Sequence, residues 1–146
     1  MGVAQMATEL TIPSDLAEAR RVQEMIEEAL QASAYTEHDI FSIKLALEEA
    51  LVNAIKHGNQ MDPDKRVFVT YRVSPHRFEV KITDEGMGFN PEDVPDPTEE
   101  INIERPCGRG LLLMRGFMTE VIYHPPGNSV SMAKDRAKEQ DGVSAE

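Results

Sequence analysis

The segment Ala46-Leu-Glu-Glu-Ala-Leu-Val-Asn-Ala-Ile-Lys-His-Gly58 forms the second half of a predicted amphipathic helix. Thr36 is predicted to open this helix, because Asp39 follows it in a variant of the capping box. Gly58 is predicted to be the C-terminal cap, and His57 suits the negative end of the helix. Apolar residues recur at helical spacing and form the predicted buried stripe: Ile40, Ile43, Leu47, Leu51 and Ala54.

Glu49 and Asn53 are polar residues of this helix that share one face, because they are four positions apart. Asn is unfavourable inside a helix, since its side chain competes for backbone hydrogen bonds. A solvated helix face is one interpretation of the pair. The other is a catalytic site, in which the Asn53 oxygen binds Mg²⁺ and Glu49 accepts a proton from an attacking hydroxyl or water. His57 is either a plain helix-end residue or a contact to phosphate or base.

Asp84-Glu-Gly86-Met-Gly88 is a glycine loop that is predicted to follow a strand. The Asp84 carboxylate only accepts hydrogen bonds, so it can take one from the exocyclic amine of adenine. Gly86 and Gly88 allow positive φ and close approach of the backbone to a ligand. The alternative interpretation is an ordinary tight turn after a strand.

A second glycine loop, Gly108-Arg-Gly110-Leu111, immediately precedes a short apolar run. Backbone amides at the N-terminus of a helix attract phosphate groups. Arg105 and Arg109 add positive charge, and Arg can form forked hydrogen bonds to phosphate. The alternatives are an ordinary loop leading into a helix, with arginines that neutralise an acidic segment. Neither loop has the context of a P-loop or of a dinucleotide-binding fingerprint.

The remaining sequence predicts an α+β fold, with a helix layer packed on a mostly antiparallel sheet. The predicted elements are a strand at 8–12, a helix from its cap Ser14 to Ser33, hairpins at 67–83 and 119–133, and a helix at 110–117. The stripe predicted for the first helix is Leu16, Ala19, Gln23, Ile26 and Leu30. A proline-rich acidic segment at 90–106 is the expected lid. We expect one domain at 8–134, with a flexible leader at 1–7 and a flexible tail at 135–146.

Composition restricts the class of protein. A chain of 146 residues with 40% hydrophobic residues suits one globular domain. The net charge of -11 argues against nonspecific nucleic-acid binding, which needs a basic surface, and favours protein partners with basic patches. The single Cys107 excludes an internal disulfide. Since neither a membrane span nor a secretory signal is evident, we expect a cytoplasmic protein without a nucleic-acid or membrane partner.

The three polar and glycine segments together resemble the N, G1 and G2 boxes of the GHKL ATPases. The helix segment at 46–58 and the second loop, Cys107-Gly-Arg-Gly-Leu-Leu-Leu-Met-Arg115, are similar to those of bacterial anti-sigma-factor serine/threonine kinases. The resemblance extends over roughly residues 10–134. It implies a Bergerat-type two-layer α/β sandwich, with helices on one face of a mixed, mostly antiparallel sheet and ATP beneath a mobile lid.

The resemblance also implies roles for individual residues. Asn53 would hold Mg²⁺, Glu49 would be the catalytic base and Asp84 would bind adenine. The other residues expected at the ATP site are His57, Gly86, Gly88, Arg105, Gly108, Arg109, Gly110 and Leu111. The family often has a Thr in the final strand beside the adenine, and here Ser129 or Ser131 is the expected replacement.

The activity implied by the resemblance is that of an ATP-dependent serine/threonine protein kinase acting as an anti-sigma factor. Such a protein phosphorylates an anti-anti-sigma antagonist and, in its other partner state, sequesters a sigma factor, often as a homodimer. Two alternatives remain open. One is a nucleotide-gated binding module with little kinase activity, and the other is a detached ATPase domain of the histidine-kinase type.

Overall fold

The computed structural model describes residues 7–86, 117–124 and 128–136. Strand β1 (Thr8–Pro13) is followed by helices α1 (Leu16–Ala32) and α2 (Glu37–Val52). The helix α2 continues directly into a π-helical segment, Asn53–Gly58, which we call the π segment. The remaining strands are β2 (Arg66–Val73), β3 (Arg77–Asp84), β4 (Glu120–His124) and β5 (Ser129–Asp135).

The five described strands form one sheet in the order β1-β2-β3-β5-β4. Every neighbouring pair is antiparallel, which confirms the predicted mostly antiparallel sheet. Both predicted hairpins are present, as β2–β3 and β4–β5. The predicted lid and the helix predicted at 110–117 lie outside the described residues, except for Phe117.

The hydrophobic core lies between the sheet and the two helices. Side chains alternate across a strand, so one face of β2 and β3 points towards the helices and the other points away. The largest fully buried side chains come from both layers: Phe78, Ile26, Leu30, Ile43, Leu47, Leu51, Ile55, Ile82, Met132, Val67 and Val69. Burying one such side chain contributes about 1.5–3 kcal/mol to stability. The contact between the helix layer and the sheet therefore stabilises the α+β fold.

The first helix differs in three details from its prediction. Asp15, not Ser14, is its N-cap, and the Asp15 carboxylate accepts from the backbone N–H of Ala17 at 2.8 Å. Ser14 is instead buried and donates from Oγ to the carbonyl of Lys65 at 2.7 Å. The buried stripe contains Val22 where Gln23 was predicted, because Val22 lies three positions after Ala19 and four before Ile26, on the same helix face. Leu16 was also predicted in this stripe and is instead exposed in the first turn.

The second helix agrees with its prediction up to its end. The Thr36 hydroxyl accepts from the backbone N–H of Asp39 at 3.0 Å, as the capping box requires. All five predicted stripe residues are buried: Ile40, Ile43, Leu47, Leu51 and Ala54. The predicted glycine cap is wrong, because the chain does not end as an α-helix at Gly58 but widens into the π segment, which is capped by Asn59.

The last described strand runs to Asp135, one residue into the segment that was expected to be a flexible tail. Arg77 on β3 pairs with Asp135 at 2.8 Å, and Lys134 donates from Nζ to the carbonyl of Phe117 at 3.0 Å. None of the helices in the described ranges is long and apolar enough to cross a membrane.

Candidate functional site

Glu49 and Asn53 lie one turn apart at the C-terminal end of α2, in agreement with their spacing in the sequence. Asn53 is the first residue of the π segment, and its backbone N–H donates to the carbonyl of Glu49. Both side chains are half-buried. No described residue forms a hydrogen bond with either side chain. The helix thus fixes the positions of the Glu49 carboxylate and the Asn53 amide, and neither group has a hydrogen-bond partner among the described residues.

The environment of Glu49 changes its acidity. Burial raises the pKa of the Glu49 carboxyl above its ordinary value of 4.5, and the neighbouring Glu48 carboxylate adds to the rise. His57 acts in the opposite direction and lowers this pKa, so the imidazole is within electrostatic reach of Glu49. A carboxylate with a raised pKa is a stronger base, which suits a group that removes a proton near neutral pH.

The π segment is the local departure from α-helical geometry at this site. The backbone N–H of Asn59 donates to the carbonyl of Ala54 at 2.8 Å, and that of Met61 donates to Ile55 at 2.7 Å. π-helical turns are rare, appear mostly as single turns and are frequent at functional sites. Here the widened turn carries Gly58 towards the end of β3.

Gly58 and Gly86 allow the π segment to contact the Asp84 loop. A Cβ atom at Gly58 would overlap the Asp84 carboxylate, and one at Gly86 would overlap the carbonyl of Gly58. Neither glycine is therefore replaceable without displacing its neighbour. Close backbone approach to a ligand was predicted for Gly86 and Gly88. In the structure Gly86 approaches the backbone carbonyl of Gly58, and Gly88 lies outside the described residues.

Asp84 is a partly buried carboxylate at the end of β3. Burial raises the pKa of the Asp84 carboxyl, whereas the hydrogen bond from the Gly86 backbone N–H and the charge of Lys65 lower it. The bond from Gly86 N–H to Oδ1 measures 2.7 Å. The carboxylate is thus preorganised as an acceptor, which is the property needed to bind an exocyclic amine.

The final strand places its polar residues differently from the sequence prediction. The Ser129 hydroxyl lies 2.8 Å from the Thr83 hydroxyl, and the Ser131 hydroxyl lies 2.7 Å from His124 Nε2. Both serines alternate with core residues of β5, so they face away from the helices, whereas Asp84 faces the π segment. Neither serine is positioned to replace a threonine beside the Asp84 carboxylate.

Asn128 is the residue of the final hairpin that contacts Asp84. Its carbonyl accepts from the Asp84 backbone N–H at 2.9 Å, and its Nδ2 donates to the Asp84 carbonyl at 2.9 Å. This contact was not predicted from the sequence. An Asn that follows Pro-Pro-Gly has the sequence of a turn residue, so no local signal distinguishes it.

The predicted site residues are only partly within the described structure. Glu49, Asn53, Asp84 and Gly86 lie around one end of α2 and β3, while His57 is exposed beside them. The others lie outside the described residues: Gly88, Arg105, Gly108, Arg109, Gly110 and Leu111. Their expected contacts to phosphate stay predictions.

A Mg²⁺ ion fits the chemistry of Asn53. The amide oxygen is a neutral hard ligand, and Mg²⁺ usually keeps waters and substrate phosphates in its shell, so it needs few protein ligands. The described residues contain no group of three or more His, Cys, Asp or Glu side chains arranged to hold a metal ion. Asn53 as a ligand of such an ion stays a prediction.

A family model described as a histidine kinase-like ATPase domain matches residues 12–134. The serine-protein kinase RsbW of Staphylococcus aureus is 27% identical over 140 residues, covering 90% of this chain and 88% of that protein. The anti-sigma F factor of Halalkalibacterium halodurans is 36% identical over 110 residues, covering 70% of this chain and 74% of that protein.

A solved structure of the RsbU and RsbW domains of a Mycobacterium tuberculosis protein has a similar fold. The TM-score is 0.61 at 16% sequence identity, and the match covers 90% of this chain. This chain spans only 32% of that longer protein. At this identity the likeness concerns the fold alone.

Proposed function

The chain belongs to the histidine kinase-like ATPase domain family, alongside anti-sigma-factor serine kinases, and we propose that it is an ATP-dependent serine/threonine protein kinase. The observation that carries this proposal is the pairing of Glu49 with Asn53 at the end of α2. Glu49 has a pKa raised by burial, and Asn53 has an amide that no described residue engages. The match to an ATPase domain family indicates ATP as the ligand. Glu49 would then be the base beside the nucleotide.

Each residue of the site has a distinct part in this proposal. Asp84 accepts a hydrogen bond from the adenine amine and so orients the base. Asn53 directs its amide oxygen towards the metal ion that accompanies the phosphates. Glu49, one turn earlier, takes the proton of a serine or threonine hydroxyl as that oxygen attacks the γ-phosphate. Mg²⁺, when bound, neutralises the charge that develops on the phosphate oxygens.

The protein substrate is proposed from the relatives. Proteins named serine-protein kinase RsbW and anti-sigma F factor match most of this chain. We therefore propose that the substrate hydroxyl belongs to an anti-anti-sigma-type antagonist, and that the chain sequesters a sigma factor in its other partner state, as a homodimer. The net charge of -11 supports partners with basic patches.

The test compares two adjacent carboxylates. Purified Glu49→Gln and Glu48→Gln are incubated with Mg-ATP and the antagonist protein captured from the native cell. Loss of a general base costs about 10²–10⁴-fold, so Glu49→Gln should transfer phosphate at least about 100-fold more slowly while still binding ADP. Glu48 is exposed, and its variant should stay within about twofold of the unmodified protein.

Other outcomes point to the alternative functions. Equal phosphorylation by both variants would remove Glu49 from the role of base. Nucleotide binding without any phosphorylated partner would favour a nucleotide-gated binding module. An acid-labile, base-stable phosphate on a partner protein would indicate phosphohistidine and favour a detached histidine-kinase domain.

A further inference from the structure

Asn59 is a fully buried polar residue directly after the π segment, with 0% of its surface exposed. Its Nδ2 donates to the Ser14 hydroxyl at 3.0 Å and to the carbonyl of Arg66 at 3.0 Å. Its Oδ1 accepts from the backbone N–H of Glu85 at 2.8 Å. A buried amide without hydrogen-bond partners would still have lost its contacts with water, which costs free energy. Each of these bonds therefore restrains the position of the Asn59 side chain.

The partners of Asn59 belong to separate parts of the fold. They lie at the junction of β1 and α1, at the start of β2 and in the loop after β3. The backbone N–H of Asn59 donates to the carbonyl of Ala54 and closes the π segment. Asn59 therefore links the segment that begins with Asn53 to the loop that follows Asp84.

The loop after β3 is held at two successive residues. The backbone N–H of Glu85 donates to Asn59 Oδ1, and Glu85 Oε1 accepts from the backbone N–H of Arg66 at 2.8 Å. The next residue, Gly86, donates to Asp84 Oδ1. The Asn59 bond thus acts immediately beside the carboxylate that is proposed to bind adenine.

We propose that Asn59 is a positioning residue for the nucleotide site. Its Oδ1 holds the Asp84–Gly86 loop against the π segment, and this contact sets the spacing between the Asp84 carboxylate and the Asn53 amide. Asn59 has no exposed surface, so in this proposal it acts through the Glu85 backbone and not by contact with the nucleotide. The inference rests on the proposed function, because ATP is the ligand that would span the two groups.

The chemistry of the three bonds explains why the residue is Asn. One side of the amide must accept from an N–H, and the other must donate to two oxygens. Asn59→Asp keeps the shape and the acceptor facing Glu85, but it replaces the donors with an acceptor oxygen and adds a charge at a buried position, which lowers stability. Asn59→Leu keeps the approximate volume and loses both functions. The two variants therefore separate the bond to the loop from the bonds to the rest of the fold.

The first experiment measures two quantities for both variants: the affinity for ADP, by calorimetry, and the Tm. Losing the bond to the loop should weaken ADP binding by Asn59→Leu about tenfold, whereas Asn59→Asp should stay within about threefold of the unmodified protein. Both variants should have a lower Tm. Ser14→Ala is the matched control, since it removes a partner on the remote side and should lower Tm without changing ADP affinity.

The proposal is overturned if Asn59→Leu binds ADP like the unmodified protein, or if both Asn59 variants lose affinity equally. Amide hydrogen exchange of the unmodified protein without nucleotide provides a second measurement that needs no Asn59 variant. The Glu85 amide should be protected there and should stay protected in Ser14→Ala, and an unprotected rate would also overturn the proposal. If the unmodified protein binds no ADP, the proposed function fails, while the exchange of Glu85 still reports on the Asn59 anchor.

Discussion

Glu48 and Glu49 are neighbours in the sequence, yet the helix places them in different surroundings. Glu48 is exposed, while Glu49 is half-buried at the end of α2 near His57. Burial disfavours the charged carboxylate, which is why the pKa of Glu49 rises. A base made stronger in this way costs the folded state some stability at neutral pH, because the group must ionise in an unfavourable place.

This cost leads to a prediction about stability and pH. A pKa raised in the folded state means that Glu49 favours folding when protonated and that this contribution is lost as the pH rises through the raised value. Glu49→Gln should therefore have a higher urea midpoint than the unmodified protein at pH 7. The difference should shrink as the pH falls and should vanish below the ordinary pKa of 4.5.

Urea titrations at stepped pH values check this prediction, with Glu28→Gln, at an exposed position of α1, as the control that should follow the unmodified protein. A Glu49→Gln variant that is less stable at pH 7 would contradict it. In that case Glu49 would have a favourable charge interaction in the folded state that outweighs its burial.

At the scale of elements, the junction between the π segment and the end of β3 forms the site. An α-helix continued through Gly58 would direct the chain differently, and the wider turn instead carries Gly58 to the Asp84 carboxylate. Gly86 then packs on the Gly58 carbonyl. Two elements distant in sequence meet at backbone distance because neither has a side chain at the point of contact.

The element contact predicts the effect of Gly58→Ala. The added methyl group would displace the Asp84 carboxylate, which is the movable partner, so ADP affinity should fall about tenfold or more while the fold persists. Calorimetry on Gly58→Ala, Asp84→Ala and the double variant measures this loss. Because both single changes act through one carboxylate, their effects should not add, and additive losses would contradict the explanation.

At the scale of the whole molecule, the site joins residues that the tertiary structure alone brings together. The bond between Asn59 and Glu85 spans 26 positions, and that between Asn128 and Asp84 spans 44. A ligand that binds only this assembled site favours the folded state over the unfolded chain. Nucleotide binding and global stability are therefore coupled.

The coupling of nucleotide binding to folding predicts how much Mg-ADP should stabilise the folded chain. With Mg-ADP at 100 times its Kd, the free energy of unfolding should rise by about 2.7 kcal/mol. Urea denaturation with and without the nucleotide measures the change, and Asp84→Ala should show a smaller rise at the same concentration. An unchanged midpoint for the unmodified protein at saturating Mg-ADP would mean that the folded chain does not bind this nucleotide.

Local pattern was enough to predict much of the fold. Every residue that helical spacing predicted for the stripe of α2 is buried, although Ala46 and Ala50 are buried as well. The alternating runs around Ser74 and Asn128 predicted both hairpins. The spacing of Glu49 and Asn53 placed them on one face. These properties depend on neighbours within a few positions, where helix and strand geometry fixes the direction of each side chain.

Contacts between distant segments were decided only by the tertiary structure. Ser14 resembles a helix cap, Gly58 resembles a C-terminal cap, and Ser129 resembles a substitute for threonine, yet each has another partner in the fold. Asn59 opens the polar stretch Asn-Gln-Met-Asp-Pro-Asp, which by itself predicts a turn, and yet its side chain is buried and bonded to Glu85. Asn128 likewise has the sequence of a turn residue and bonds to Asp84. A polar group takes whichever partner the packed core brings within hydrogen-bond distance, and that choice is not encoded in its local sequence.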